Sequence, residues 1–227
     1  MRKKPTDSHA SETPRGRRAD EASATEASEL RIIGGKLRGR KIAYVGDPRT
    51  RPMKERVREA LFNLVGPSIA DSHAIDLFAG TGALGFEALS RGAARAVFLE
   101  KHFPTADAIR KTAAELEIAE RCEVLGADTL LHVRRLLRDG ECFDRSRRWT
   151  VFCSPPYEFF VSRLEETLQL LTGLIDVAPP QSIFVVESDG RFDTAQLPNA
   201  DRWRVREYYP AVVAIMNTGE PQPTVDV

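Results

Sequence analysis

The stretch Asp76-Leu77-Phe78-Ala79-Gly80-Thr81-Gly82 joins an apolar run to an amphipathic one, and Gly85 completes the spacing GxGxxG. Glycines at such a turn let the backbone approach a ligand that a Cβ would exclude, and the amides that open the next helix face the bound group. Glu100 lies eighteen residues beyond Gly82, at the end of the following apolar run, where it can accept hydrogen bonds from ribose hydroxyls. Asp128, after a further run in VLGAD, can accept from an adenine amino group, cap the helix that follows, or do both. Asp76, Phe78, Gly80, Gly82, Glu100 and Asp128 together form a candidate nucleoside-binding constellation.

The same spacing is the dinucleotide fingerprint, so an NAD-dependent oxidoreductase is the alternative from another reaction class. Asp76 favours S-adenosylmethionine. A carboxylate on this strand can meet the cationic amino end of that cofactor, whereas it would repel the pyrophosphate of NAD.

A second group, Ser154-Pro155-Pro156-Tyr157, follows the apolar run WTVFC, at the edge where open α/β sheets place their ligands. Its prolines fix the backbone and leave carbonyls unpaired. Such a loop suits transfer of a methyl group to an exocyclic amine of a base, a poor nucleophile because its lone pair is delocalised. Acceptors for the two amine protons turn that lone pair toward the methyl group. Ser154 Oγ and the Pro155 carbonyl are the candidate acceptors, and Tyr157 would stack on the base. No metal is needed. Three cysteines without CxxC spacing and four scattered histidines suggest neither a zinc site nor a disulfide framework.

These residues need a scaffold, and the chain of 227 residues, 42% hydrophobic and 29% charged, has an ordinary globular composition. The runs AIDLFA, ARAVFLE, RCEVLG, WTVFCS and SIFVVES alternate with amphipathic stretches such as 105–116 and 164–171. That pattern predicts an α/β fold, a mostly parallel sheet with helices on both faces. Together with the two loops above it suits a Rossmann-like S-adenosylmethionine-dependent methyltransferase fold. After Pro198, RWRVREYY and AVVAIM read as an antiparallel pair at the sheet edge. Ahead of the sheet, RIIGGKLRGRKIAYV predicts a hairpin turning at Gly34-Gly35. Pro52 suits the first turn of a helix in which Val57, Leu61 and Leu64 share a face that Arg56 and Arg58 avoid. Residues 1–30 hold six basic and six acidic side chains and no aromatic one, which predicts disorder. The domain reading is a disordered tail at 1–30, a hairpin-helix extension at 31–66, a catalytic domain at 67–217 and a flexible tail at 218–227.

The 33 basic and 33 acidic residues cancel, but residues 31–58 hold ten Lys or Arg and only Asp47 and Glu55 against them. Such a segment fits nucleic acid. Lys36, Arg38, Arg40, Lys41, Arg51, Arg56 and Arg58 are the candidate RNA contacts. No apolar run is long enough to span a membrane and no secretory signal is visible, so a monomer in the cytoplasm is expected.

The motifs RIIGGKLRGRK, RPMKERVREALFN, DLFAGTGALGFEALSRGA and the PPY loop resemble the RsmD family of ribosomal RNA guanine-N2 methyltransferases, over about residues 31–216. The resemblance implies S-adenosylmethionine contacts from Asp76, Gly80, Gly82, Glu100 and Asp128, and RNA contacts from residues 38–58. It further implies amine activation by the Ser154 loop, with ribosomal RNA or the small ribosomal subunit as partner. That family normally has Asp or Asn where this chain has Ser154. Ser-Pro-Pro-Tyr is similar to the loop of DNA cytosine-N4 methyltransferases, many of which carry it before the glycine loop. Guanine N2 is therefore the favoured target, with cytosine N4 and adenine N6 as alternatives. The family's Thr-x-Asp/Glu-Arg pattern stands here as Met53-Lys54-Glu55-Arg56. His73 and His102 are expected at the surface or at strand ends, Cys153 as a buried thiol, and Trp149 and Trp203 as packing.

Overall fold

The computed structural model describes residues 30–44 and 53–219. Of the tails expected at 1–30 and 218–227, residues 1–29 and 220–227 lie outside the described residues, as do Arg51 and Pro52. Leu30, by contrast, is buried, and Thr218 N donates to Ser182 O at 2.8 Å.

The five apolar runs become parallel strands: β1 His73–Asp76, β2 Arg95–Glu100, β3 Cys122–Gly126, β4 Trp149–Cys153 and β5 Ile183–Asp189. Two more, β6 Arg204–Tyr208 and β7 Ala211–Asn217, form the expected antiparallel pair at one edge, with β7 also antiparallel to β5. The spatial order is β3-β2-β1-β4-β5-β7-β6. Sheet growth reverses between β1 and β4, the switch point at which open sheets leave a crevice. The helices are α1 Glu55–Val65, α2 Ala83–Ser90, α3 Phe103–Glu115, α4 Thr129–Arg138, α5 Phe159–Ser162 and α6 Leu164–Val177.

Successive strand residues point to opposite faces, and here both faces are covered. Ala74, Phe98, Phe152 and Val185 join the core under α1, α2 and α3, whereas Ile75, Leu99, Val151 and Phe184 join the core under α4 and α6. That is why the strands read as continuous apolar runs. A Cβ at Gly85 would stand 2.2 Å from the Phe98 ring, so this glycine serves the close packing of α2 on β2.

The segment before α1 pairs as a hairpin would, with Ile32 N donating to Arg40 O at 3.0 Å and Ile42 N to Leu30 O at 2.8 Å. It turns at residues 36–39, however, where Gly39 has φ +81°. Gly34 and Gly35 press against the end of α2 instead. A Cβ on Gly35 would stand 2.1 Å from the Ser90 carbonyl oxygen, and one on Gly34 would stand 2.4 Å from the Arg91 guanidinium. The glycine pair is needed for docking, not for turning.

Glu87, fully buried on α2, fixes that docking. Its carboxylate accepts from Ile33 N and Gly34 N, each at 2.8 Å, and from Arg91 Nε at 2.7 Å, with Arg58 Nε 4.0 Å away. Arg58 is therefore corrected from RNA contact to internal counter-ion. It is fully buried, donates to the Arg31 carbonyl at 2.5 Å, and has its pKa lowered by desolvation against the pull of Glu87. The buried face of α1 comprises Val57, Arg58, Leu61, Phe62 and Val65, wider than the stripe of Val57, Leu61 and Leu64 implies.

Removing one member of a buried ionic cluster leaves its partners desolvated and uncompensated. Glu87→Ala should thus lower the unfolding free energy by about 3–5 kcal/mol, seen as a lower denaturant midpoint with an unchanged slope. A midpoint equal to the wild type's would remove Glu87 as the anchor of the extension.

Candidate active site

The carboxyl ends of β1 to β5 bring the candidate residues to one edge. Gly80 N donates to Glu100 Oε2 at 2.8 Å and His102 N to Glu100 Oε1 at 2.7 Å, which ties the end of β2 to the loop after β1. Each oxygen keeps a further lone pair. Gly80 and Gly82 take φ values of +52° and +77°, left-handed conformations that favour glycine.

Asp76 is 1% exposed and accepts from Gly85 N at 3.1 Å, so it lies beneath the start of α2. Burial pushes its carboxyl up to about 7; the Gly85 amide opposes this and the Glu100 charge adds to it. A nearby cation would favour its ionised form, as burial and the second carboxylate favour the protonated one. Phe78 meets Phe159 edge-on with ring centroids 5.9 Å apart, and the Arg163 guanidinium lies 5.1 Å from the Phe159 ring centroid, which links the β1 loop to α5. Asp128 caps α4 by accepting from Leu131 N at 3.2 Å, and its other oxygen lies 3.3 Å from Lys101 Nζ and 3.8 Å from Arg163 Nη1.

The Ser154 loop leaves β4 toward β5. Ser154 Oγ donates to Glu187 Oε2, and Tyr157 Oη donates to Glu187 Oε1 at 2.8 Å. The Pro155 carbonyl has no hydrogen-bond partner among the described residues. The Pro156 carbonyl, expected to be unpaired as well, accepts from Phe159 N at 2.8 Å and begins α5. Glu187 is buried, and desolvation raises its pKa against the opposing bonds from Ser154 and Tyr157. Sequence reasoning passed over this residue. Its signal is a carboxylate interrupting the apolar run SIFVVES near the edge that holds the ligand loops.

The described candidate cations of the basic segment do not form one patch. Lys36, Arg38, Arg40, Lys41 and Arg56 are exposed. Lys36 N donates to Ser90 O at 2.8 Å and Arg40 Nη2 to Glu115 O at 2.7 Å, so their loop sits on the last residues of α2 and α3. Both helices start at the ligand edge and therefore end at the opposite one. Arg56 is in the first turn of α1, which runs alongside α2 in the same direction, with Arg58 beside Glu87 and the Arg91 guanidinium 5.0 Å from the Phe62 ring centroid. Arg56 thus stands at the ligand edge, and Lys36, Arg38, Arg40 and Lys41 at the far one.

Other residues resolve simply. His73 is a strand-end residue as expected, the first of β1, and is buried under the 144–148 loop with Nδ1 3.2 Å from the Asp144 carbonyl oxygen. His102 precedes α3 and bonds Thr105 Oγ1 at 2.8 Å. Cys153, Trp149 and Trp203 are buried, and both indole N–H groups donate to carbonyls. Among the described residues no group of three His, Cys, Asp or Glu could hold a metal ion, and no helix is long and apolar enough to cross a membrane.

The family model described as conserved hypothetical protein 95 matches residues 30–216. The chain belongs to this family, the RsmD family. The match takes in the docked loop, α1 and the whole sheet. Ribosomal RNA small subunit methyltransferase D of Escherichia coli strain K12 is 39% identical over 145 residues, 64% of this chain and 68% of that protein. The protein of the same name from Haemophilus influenzae is 38% identical over 158 residues, 69% of this chain and 78% of that one. A solved Escherichia coli structure described as a candidate methyltransferase, yhhF, superposes with a TM-score of 0.66 at 31% identity, covering 83% of this chain and 97% of that one. An RNA methyltransferase from Salinibacter ruber, solved in complex with S-adenosyl-L-homocysteine, shares the fold at a TM-score of 0.53 and 19% identity, covering 77% of this chain and 97% of that one.

The state of Asp76 can be read without ligand. Below about pH 4 the group is protonated in both the folded and unfolded states; between about 4 and about 7 only the unfolded state releases the proton, so stability falls as pH rises. The loss amounts to about 4 kcal/mol at most, at about 1.4 kcal/mol per pKa unit. Urea unfolding at about pH 5 and about pH 8 should show that Asp76→Asn lacks this component. A variant with the wild type's pH dependence would contradict the burial argument.

Proposed function

We propose that this chain transfers a methyl group from S-adenosylmethionine to guanine N2 of small-subunit ribosomal RNA. Its activity as an S-adenosylmethionine-dependent ribosomal RNA methyltransferase follows from RsmD membership and from relatives named for that activity. The observation that carries the reading of an amine target is the pair of adjacent acceptors at the ligand edge. Ser154 Oγ commits its proton to Glu187 and the Pro155 carbonyl has no partner among the described residues, so each amine proton has a candidate acceptor.

The donor set suits the cofactor. Asp76, desolvated and with one amide partner, fits a cationic amino end, and Glu100, pinned by two amides, fits ribose hydroxyls. A pyrophosphate would meet both charges, which disfavours NAD. When bound, S-adenosylmethionine supplies a methyl group already made electrophilic by its positive sulfur. What remains for the protein is orientation: Tyr157, held through its hydroxyl, fixes the base plane, while Ser154 and Pro155 aim the amine lone pair. The choice of guanine N2 over cytosine N4 or adenine N6 rests on the family.

Labelled methyl transfer to under-modified small subunits, followed by nucleoside analysis, should place label in N2-methylguanosine; label in N4-methylcytosine or N6-methyladenosine would overturn the guanine assignment. In the same assay Ser154→Ala should lower turnover by roughly tenfold to a thousandfold, the range for loss of one group aimed at the reacting centre, with RNA affinity nearly unchanged. A turnover equal to the wild type's would take Ser154 out of the amine site.

The exposed basic loop is assigned to phosphate contact far from the reacting base. Replacing Arg38, Arg40 and Lys41 by Ala should flatten the log–log salt dependence of RNA binding by about one unit per lost phosphate contact. Turnover at saturating RNA should hold. An unaltered affinity and salt slope would rule this loop out as an RNA contact.

A further inference from the structure

Amine methylation leaves a proton to be removed from the nitrogen, and Ser154, the Pro155 carbonyl and Tyr157 are by themselves too weakly basic to keep it. We infer that Glu187 is a positioning residue of the amine loop: it fixes Ser154 as a hydrogen-bond acceptor, anchors Tyr157, and receives through Ser154 the proton that the methylated amine gives up. The inference rests on the amine-methylation reading proposed above.

The geometry is a fork. Ser154 Oγ and Tyr157 Oη donate to different oxygens of one carboxylate. A serine hydroxyl has one proton and two lone pairs. With the proton directed at Glu187, Ser154 presents only lone pairs elsewhere, so it can accept from the amine and cannot donate to the amine lone pair and blunt it. A bond to an ionised acceptor is also stronger than a neutral one and raises the negative potential on Oγ. Glu187 thereby lends an uncharged serine part of the character of an acidic side chain.

Among the described residues, Ser154 and Tyr157 are the side chains hydrogen-bonded to this carboxylate. Across the sheet Glu187 pairs with Val213 of β7, which is buried and apolar, and β4 ends beside it in the Cys153 thiol. The next charged groups along the chain are engaged elsewhere: Arg191 Nε lies 2.9 Å from Asp189, and Arg191 Nη1 lies 3.3 Å from Glu158. Burial raises the Glu187 pKa and the two hydroxyl bonds oppose it. The group is thus a better proton acceptor than a solvated glutamate.

In the transfer, the amine nitrogen forms its bond to the methyl carbon as the carbon–sulfur bond breaks, with that electron pair remaining on sulfur. The nitrogen is then cationic. It gives one proton to Ser154 Oγ while Ser154 passes its own proton to Glu187. The electrons of the broken N–H bond stay on nitrogen, which becomes neutral, and the carboxylate becomes a carboxylic acid. Glu187 returns the proton to water when the product leaves.

The test uses the full chain, S-adenosylmethionine and under-modified small subunits. Glu187→Gln preserves shape and removes the charge. It should lower kcat about tenfold or more, as expected when a group poised for the reacting centre is lost, with KM for subunits and for cofactor nearly unchanged. Because the carboxylate is the working form, wild-type kcat should fall as pH drops through the raised Glu187 pKa, and this acid limb should vanish in Glu187→Gln. Ser154→Ala should lose the same limb, and the double variant should be little slower than Ser154→Ala alone, because Glu187 acts through Ser154. Without cofactor or substrate, infrared spectroscopy should show a carboxyl band that titrates above the ordinary glutamate range and is missing from Glu187→Gln. Wild-type kcat and acid limb in Glu187→Gln, or additive losses in the double variant, would overturn the inference. Should Glu187→Gln fail to fold, an acid limb persisting in Ser154→Ala overturns it alone. A wild type that binds S-adenosylhomocysteine yet labels no amine removes the underlying reading and the inference with it.

Discussion

A carboxylate taken out of water must be given partners, and that constraint determines where the working loops of this protein lie. Glu87, in the middle of α2, draws in two amides of the 31–42 segment and two arginines, which seats the extension. Glu100, at the end of β2, takes one amide from the glycine loop and one from its own strand end. Asp76 takes the amide of Gly85 at the start of α2, and Glu187 takes the two hydroxyls of the amine loop. Each loop is held by charge satisfaction at its base, which leaves its outward face available for ligand. The apolar sheet supplies the desolvation that makes each bond count.

What could be read from the sequence and what could not divide along this line. Continuous apolar runs separated by amphipathic stretches specify buried parallel strands, because a strand covered on both faces has no polar side to show. The glycine loop and the proline loop carry their geometry in residue type. Partnerships between distant elements leave no such trace. Glu87 of α2 and Arg91, just past its end, stand four apart, and nothing in that spacing tells of the docked extension that both face. Arg58 reads as one more cation of a basic run, yet its position on α1 turns it inward to Glu87. Gly34 and Gly35 read as a turn because paired glycines so often make one, while their small size serves the contact with Ser90 and Arg91.

The placement of the cations bears on how binding and chemistry are divided. Positive charge at the far end of α2 and α3 cannot act on the transition state at the ligand edge, because exposed charges are screened beyond about 10 Å at 0.1 M salt. It can add affinity for a polyanion large enough to reach both ends. Arg56 stands at the ligand edge, so it alone of the described candidate cations is placed to affect the orientation of RNA beside the amine loop.

Serine in place of the family's usual Asp or Asn is intelligible once Glu187 is in view. An asparagine there could donate its amide to Glu187 and turn its carbonyl toward the substrate, giving the same division of labour as Ser154. An aspartate would set a second negative charge beside Glu187, and the pair would have to share a proton, as neighbouring carboxylates do when burial prevents both from ionising. In each case, on the proposed reading, the first residue of the loop would present an acceptor outward and the residue on β5 would govern its proton. Serine reaches less far than either, so on the proposed reading the substrate amine would sit closer to β4, beside Tyr157, which is tied to the same carboxylate. The proposed amine site thus rests on the carboxylate on β5, which holds both Ser154 and Tyr157.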